Sequence, residues 1–124
     1  MIDFRNASFV KLRPVNDREF APMITPMLVP GEQILQTFRG IRDGVVFTSK
    51  RIITINVQGI TGAKKDFTSL PYSKIQAYSV ETAGVLDLDG ELDLWFSGLG
   101  NVRFEFAASV NLAQICRVIS ENIL

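Results

Sequence analysis

Apolar and polar positions change their period twice along the chain. From Gly31 to about residue 107 the apolar residues come in short alternating or β-branched runs. That is the pattern of strands with at least one face turned to a core. "QILQTFRGI" (Gln33 to Ile41) is the first such run. "VVF" (Val45 to Phe47) and "IITINV" (Ile52 to Val57) come next, separated by "TSKR", which predicts a hairpin turning around Ser49 and Lys50. "QGITG" predicts the next turn, because glycine reaches positive φ without strain. "KKDFTSL", "QAYSVET", "ELDLWFS" and "NVRFEFA" complete the strands, with "PYSKI" as a turn and "SGLGN" as a loop. The period then becomes helical. Leu112, Ile115, Cys116, Ile119 and Ile123 form one apolar stripe. Asn111 is placed as its N-cap, with Gln114 three residues on.

The beginning is less regular. Residues 1–16 show no clean period, and Pro14, Pro22, Pro26 and Pro30 punctuate the segment leading up to Gly31. Asp17 is placed to cap a short helix to about Leu28, with Phe20, Ile24 and Leu28 on one face. Pro22 falls in the tolerated first turn, whereas Pro26 disturbs the interior. The whole pattern predicts a mainly β fold with a C-terminal α-helix. About seven strands form a small curved sheet or open barrel, and the helix, whose stripe must be buried, plugs one end. An N-terminal extension, 1–28, precedes this domain, 29–124.

"VVF" and "IITI" are apolar on both faces, as where both sides of a sheet are covered. A small barrel has one inside, so the second cover is either the N-terminal segment or another copy of the chain. Val45, Phe47 and Ile52 are therefore candidate interface residues. Trp95 and Phe96 join them, because neighbours in a strand face opposite ways and one of the two is expected outside.

Charge and composition narrow the chemistry. Of 124 residues, 13 are Lys or Arg and 13 are Asp or Glu, so the formal net charge is zero. A nucleic-acid binder that works by neutralising phosphates carries a positive excess, so none is expected. Self-association is not opposed by long-range repulsion. The chain has no histidine, which excludes histidine-based triads and histidine–zinc sites. The lone Cys116 cannot form an internal disulfide and lies on the helix stripe, where it reads as packing. Neither a secretory h-region nor a run of 18 apolar residues is found, so a cytoplasmic protein is expected. No cofactor or metal is expected.

Three groups of residues remain as chemistry. Lys50 and Arg51, and Lys64 and Lys65, bracket the strand Ile52–Val57. If that strand pairs with Lys64–Ser69, Val57 lies near Lys64 and Arg51 near Leu70. At roughly 3.3 Å per residue the two cation pairs are then roughly 20 Å apart and cannot clamp one phosphate. The reversals at "RGIRDG" and "QGITG" share an end of the sheet instead. Arg39, Arg42, Lys64 and Lys65 are thus the candidate ligand-binding group, able to hold an anionic headgroup by charge-assisted hydrogen bonds. The plainer reading is cations that blunt strand ends, diluted by Asp43 and Asp66. In "LDLDGELDLWF", Asp87, Asp89, Glu91 and Asp93 alternate with leucines. Counted as a calcium loop, the glycine is misplaced and the twelfth position is Gly98, so a strand with one wet face accounts for it better. Gly90 marks a bend or bulge there. A hydrolase built on paired carboxylates has no distinguishing acid in this run.

"LVPGEQIL", "RDGVVFTSKRIITINVQGITGAK", "LPYSKI" and "VETAGVLDLDGELDLW", in this order and followed by the helix, resemble the bacterial pleckstrin-homology (PH) domain family. The likeness runs from about Asp17 to the end. Gly44 departs from it, since the family more often has a larger apolar residue there. The resemblance implies a PH-like barrel of two nearly orthogonal antiparallel sheets, seven strands in all, capped by a helix. It implies no catalytic residues and a tendency to ring-like homo-oligomers. Eukaryotic PH domains bind phosphoinositides through a Lys followed by Lys/Arg-x-Arg. "QTFRGIRDG" offers Arg39 and Arg42 without that Lys, so those ligand positions are not carried over. The expected function is a non-enzymatic module that self-assembles and scaffolds an unknown protein partner. The alternative is peripheral binding of anionic lipid or another phosphate ligand through the basic loop end.

Overall fold

A computed structural model describes residues 4, 9–82, 90–107 and 110–124. It contains eight strands: β1 (Phe9–Val15), β2 (Ile34–Arg39), β3 (Gly44–Thr48), β4 (Arg51–Gln58), β5 (Lys64–Pro71), β6 (Ile75–Thr82), β7 (Gly90–Phe96) and β8 (Gly100–Phe106). Two helices, α1 (Ala21–Ile24) and α2 (Leu112–Ile123), accompany them. The strand order is β5-β4-β3-β2-β1-β8-β7-β6. The fold is the expected PH-like one, with eight strands instead of about seven.

The additional strand is β1, and its sequence hides it for a physical reason. Phe9 pairs with Phe104 and Leu12 with Phe106, so three residues on β1 span two on β8. Lys11, at φ 54, takes up the extra residue as a bulge. Both Phe9 and Leu12 are buried, yet their spacing is three, and the period of two is lost. Beyond the bulge β1 leaves β8 and pairs antiparallel with β2, Arg13 opposite Arg39 and Val15 opposite Thr37. Pro14 sits in this second half, where β1 has no described pairing on the β8 side and a missing N–H costs no ladder bond. The strand thus joins β2–β5 to β6–β8. The segment expected as an N-terminal extension, 1–28, contributes this joining strand, Phe9–Val15, to the sheet.

Two cores result. The larger fills the barrel with Phe9, Phe38, Phe47, Phe104 and Phe106, among others. Phe38 meets Phe106 edge-on at 5.0 Å between ring centroids, and Phe9 stacks on Phe104 at 5.6 Å. Leu112, Ile115 and Ile119 of α2 close one mouth, as the apolar stripe predicts. The Asn111 side chain accepts a hydrogen bond from the Gln114 amide at 3.1 Å. The smaller core lies on the outer side of β3 and β4, where Phe20 and Ile24 cover Val46, Ile53 and Ile55.

The covering segment is not the single helix expected from Asp17 to Leu28. It is a 3-10 turn (Asp17–Glu19), α1, and a second 3-10 turn (Thr25–Met27). Pro22 and Pro26 each stand at the start of a new turn, because a proline has no N–H for a continuing helix. The cap is Asn16, whose side chain accepts from the Arg18 amide, while Asp17 accepts from the Thr37 hydroxyl at 2.9 Å. Phe20 and Ile24 are nonetheless buried as their spacing implies.

Candidate functional site

The basic loop end is assembled by two reversals. β2 ends at Arg39 and the chain returns at Gly44; β4 ends at Gln58 and returns at Lys64. Register differs by one from the expected pairing: Val57 faces Lys65 and Arg51 faces Pro71, because Gln58 stays in the strand and pairs with Lys64. A one-residue change alternates faces. Lys65 therefore joins Arg39 and Arg42 around a hollow of about 350 Å³ that also takes in Glu19, Met23 and Ile60. Lys64 does not line it.

Each of those three cations is already engaged. Arg39 pairs with Glu19, Arg42 donates to the Gly59 carbonyl, and Lys65 Nζ donates to the Gly62 carbonyl at 2.9 Å. Asp43 accepts from the Val57 amide at 2.8 Å and from Asn56 Nδ2 at 3.2 Å, which ties the first loop to the second hairpin. The glycines at 59 and 62 have φ of 78° and 71° and allow the tight return. The geometry is a braced loop end carrying positive charge. What stands out beside the cations is apolar: Ile41 is 77% exposed and Ile60 fully exposed.

The five interface candidates divide sharply. Val45, Phe47, Ile52 and Phe96 are interior to the barrel, so their assignment to an interface is corrected. The second face of "VVF" and "IITI" is covered by Phe20 and Ile24 of the same chain. Only Trp95 turns outward, 39% exposed on β7. Of the acidic run, Asp87 and Asp89 lie outside the described residues. Glu91 and Asp93 lie on the outer face, and Asp93 accepts from Arg103 Nε at 2.9 Å. Among the described residues no group of three acidic, Cys or His side chains is arranged to hold a metal. Cys116 is half-buried on α2, and burial pushes its thiol up, away from the reactive thiolate.

A buried polar cluster around Glu32 has no counterpart in the apolar pattern of the sequence. The Glu32 carboxylate is buried and receives four hydrogen bonds: Val29 N–H at 3.1 Å, Thr48 Oγ1 at 2.6 Å, and Arg51 Nε and Nη2 both at 2.9 Å. Arg51 also donates to the Met27 carbonyl at 2.7 Å and to Ser69 Oγ at 3.0 Å. Thr48 Oγ1 accepts from the amides of Lys50 and Arg51, which shapes the "TSKR" turn. Tyr72 O–H donates to the Thr48 carbonyl at 2.7 Å. One carboxylate thereby clasps the N-terminal segment, the β3–β4 turn and the end of β5. The one available signal is that "GEQ" and "TSKR" both fall inside the motifs shared with the PH family.

Burial alone would raise the Glu32 pKa. The hydrogen bonds from Arg51, Thr48 and Val29, with the charge of Arg51, more than offset it and hold the carboxyl below its ordinary 4.5. Tyr72 is pushed well above its ordinary value, first by burial and then by the Glu32 charge. Neither group exchanges a proton near neutral pH, so the clasp is structural. Because the folded state holds Glu32 below the unfolded value, its contribution is complete above 4.5 and is lost as pH falls through the lowered folded value. Urea midpoints of the native chain should therefore fall with acidification below 4.5 more steeply than those of Glu32→Gln. Parallel pH profiles would remove Glu32 from the account.

The family model for the bacterial PH domain matches residues 3–123. The uncharacterized protein YjqA of Bacillus subtilis is 44% identical over 96 residues, covering 76% of this chain and 77% of that one. The uncharacterized protein YozO of the same organism is 29% identical over 103 residues, covering 83% and 89%. A DUF1696 family protein with a pleckstrin-homology domain from Shewanella loihica superposes with a TM-score of 0.78 at 38% identity, covering 93% of this chain and 99% of that one. A pleckstrin homology domain from Shewanella amazonensis gives a TM-score of 0.65 at 37% identity, covering 96% and 93%.

Proposed function

The chain belongs to the bacterial PH domain family, and from that premise we propose that it is a non-enzymatic interaction module. It self-assembles into a ring-like homo-oligomer and presents the assembled surface to protein partners. The observation that carries this reading is the strand order. The sheet ends in two unlike strands, β5 and β6. A strand edge pairs readily with another chain. Pairing between unlike edges is heterologous, and a heterologous contact closes into a ring when its rotation allows.

Two further features agree. Phe67 on edge strand β5 and Trp95 beside edge strand β6 are large apolar side chains left part-exposed by the fold. Zero formal net charge leaves copies free to approach. Among the described residues the catalytic reading lacks a group poised for chemistry: the buried carboxylate is fully hydrogen-bonded and burial pushes the thiol up. Native mass spectrometry of the whole chain is expected to give a discrete multiple of the subunit mass. A single monomer peak at every concentration would count decisively against assembly.

A further inference from the structure

We propose that copies dock through two oppositely charged surfaces, the acidic outer face of β6–β8 on one and the loop end bearing Arg42, Lys64 and Lys65 on the next. This rests on the self-assembly proposed above and adds a charged contact to the strand-edge pairing.

The acidic surface is a row across three strands. Glu81 stands opposite Glu91, and Glu91 opposite Glu105. Alternation places all three on the outward face, since their neighbours Leu92 and Phe104 are fully buried inside. Like charges directly opposite one another weaken a sheet, so the row costs stability in the single chain. Asp93 lies on the same face. Arg103 is bonded to Asp93 at 2.9 Å and stands 3.6 Å from Glu91. Lys11 borders the same depression, about 400 Å³ in volume, as the three glutamates. Four carboxylates thus face two cations, and Trp95 lies farther along β7 on the same outward face as an apolar contact.

The complementary surface is the loop end. Arg42, Lys64 and Lys65 surround the turn whose tip is Ile60, and Ile60 is wholly exposed. An unburied aliphatic side chain among cations has the layout of a docking anchor with a polar rim. A bilayer of anionic lipid would also suit cations beside an isoleucine. A chain with 13 cations and 13 anions has no net field to draw it there, whereas every other copy carries the matching acidic row. A second copy is therefore the favoured occupant. The two surfaces are different, so each copy offers one of each and the contact propagates around a ring.

Charge reversal tests this on the whole chain, by native mass spectrometry at low and high ionic strength. Lys64→Glu/Lys65→Glu reverses the loop end; Glu81→Lys/Glu105→Lys reverses the row. Neither pair touches either core. The wild type is expected to assemble and to dissociate as salt rises. Each double variant alone should lose the oligomer, and an equimolar mixture should assemble again with the two variants alternating, because the reversed loop end then meets the reversed row and the native loop end meets the native row. Regain also shows that both variants are folded. The neutral versions, Lys64→Gln/Lys65→Gln and Glu81→Gln/Glu105→Gln, should each weaken assembly by at least about tenfold. A monomeric wild type overturns both this contact and the self-assembly beneath it. An oligomer indifferent to salt and to both reversals overturns this contact alone. So does a loop-end variant that keeps its oligomer but no longer sediments with phosphatidylserine vesicles that carry down the wild type.

Discussion

Glu32→Ala is expected to lower the unfolding free energy by about 3–5 kcal/mol, the usual range for removing one partner of a buried ion pair. The Glu32 side chain is 1% exposed and that of Arg51 18%. Without the carboxylate, the Arg51 guanidinium stays partly buried beside the Met27 carbonyl, the Val29 amide loses its acceptor, and the Thr48 hydroxyl keeps only the Arg51 carbonyl at 3.1 Å. The cost lies more in those abandoned groups than in the attraction that is lost. Replacing both charges, as Glu32→Leu/Arg51→Met, should recover much of the loss. Urea unfolding of the wild type and both variants checks it. A Glu32→Ala midpoint indistinguishable from wild type would mean that the clasp does not hold the N-terminal segment.

Gly44→Val is the second large effect. A Cβ at Gly44 would lie 2.6 Å from two ring atoms of Phe20. Phe20 is buried over Val46, Ile53 and Ile55, so its ring has little room to move. Over-packing of this kind costs about 1–3 kcal/mol, and more if the ring is expelled from its seat. Phe20→Ala costs about 3–5 kcal/mol by leaving a cavity over the same strands. The two changes should couple: in the Phe20→Ala background the valine has space and fills part of the hole. The double variant is expected to be more stable than the sum of the single losses predicts. Strict additivity in a double-mutant cycle would show that Phe20 does not rest on Gly44. The same contact leaves no room for a side chain at position 44 while Phe20 keeps its seat.

Strands β2 to β8 and α2 are legible because each is an alternating or β-branched run, or a helical stripe, bounded by turn residues. β1 is not, because the bulge at Lys11 puts Phe9 and Leu12 three apart while both point inward. The segment 17–28 was half legible. The spacing of Phe20 and Ile24 found the buried face, but the two prolines divide the helix into short turns. Apolar runs on both sides of β3 and β4 require two covers, and two are present. Composition alone does not say whose residues supply the second, and here Phe20 and Ile24 of the same chain do.

The candidate site obeys the same rule. Arg39, Arg42 and Lys65 do meet, since two reversals at one end result from strand alternation. Lys64 stands at the same end, paired with Gln58, but strand alternation turns it away from the hollow that Lys65 lines. The Glu32–Arg51 clasp joins residues 19 apart in sequence through a turn and an irregular segment. No period reports such a contact; it depends on where the loop before β2 folds back. The acidic row depends likewise on cross-strand register, which places Glu81, Glu91 and Glu105 side by side.

Self-assembly is the claim on which the functional account stands, and the mass of the native chain in solution tests it most directly. Light scattering across a dilution series should return one mass that is a whole multiple of the subunit, stable at tens of micromolar and falling only on strong dilution. A mass equal to one subunit throughout the series would contradict the account.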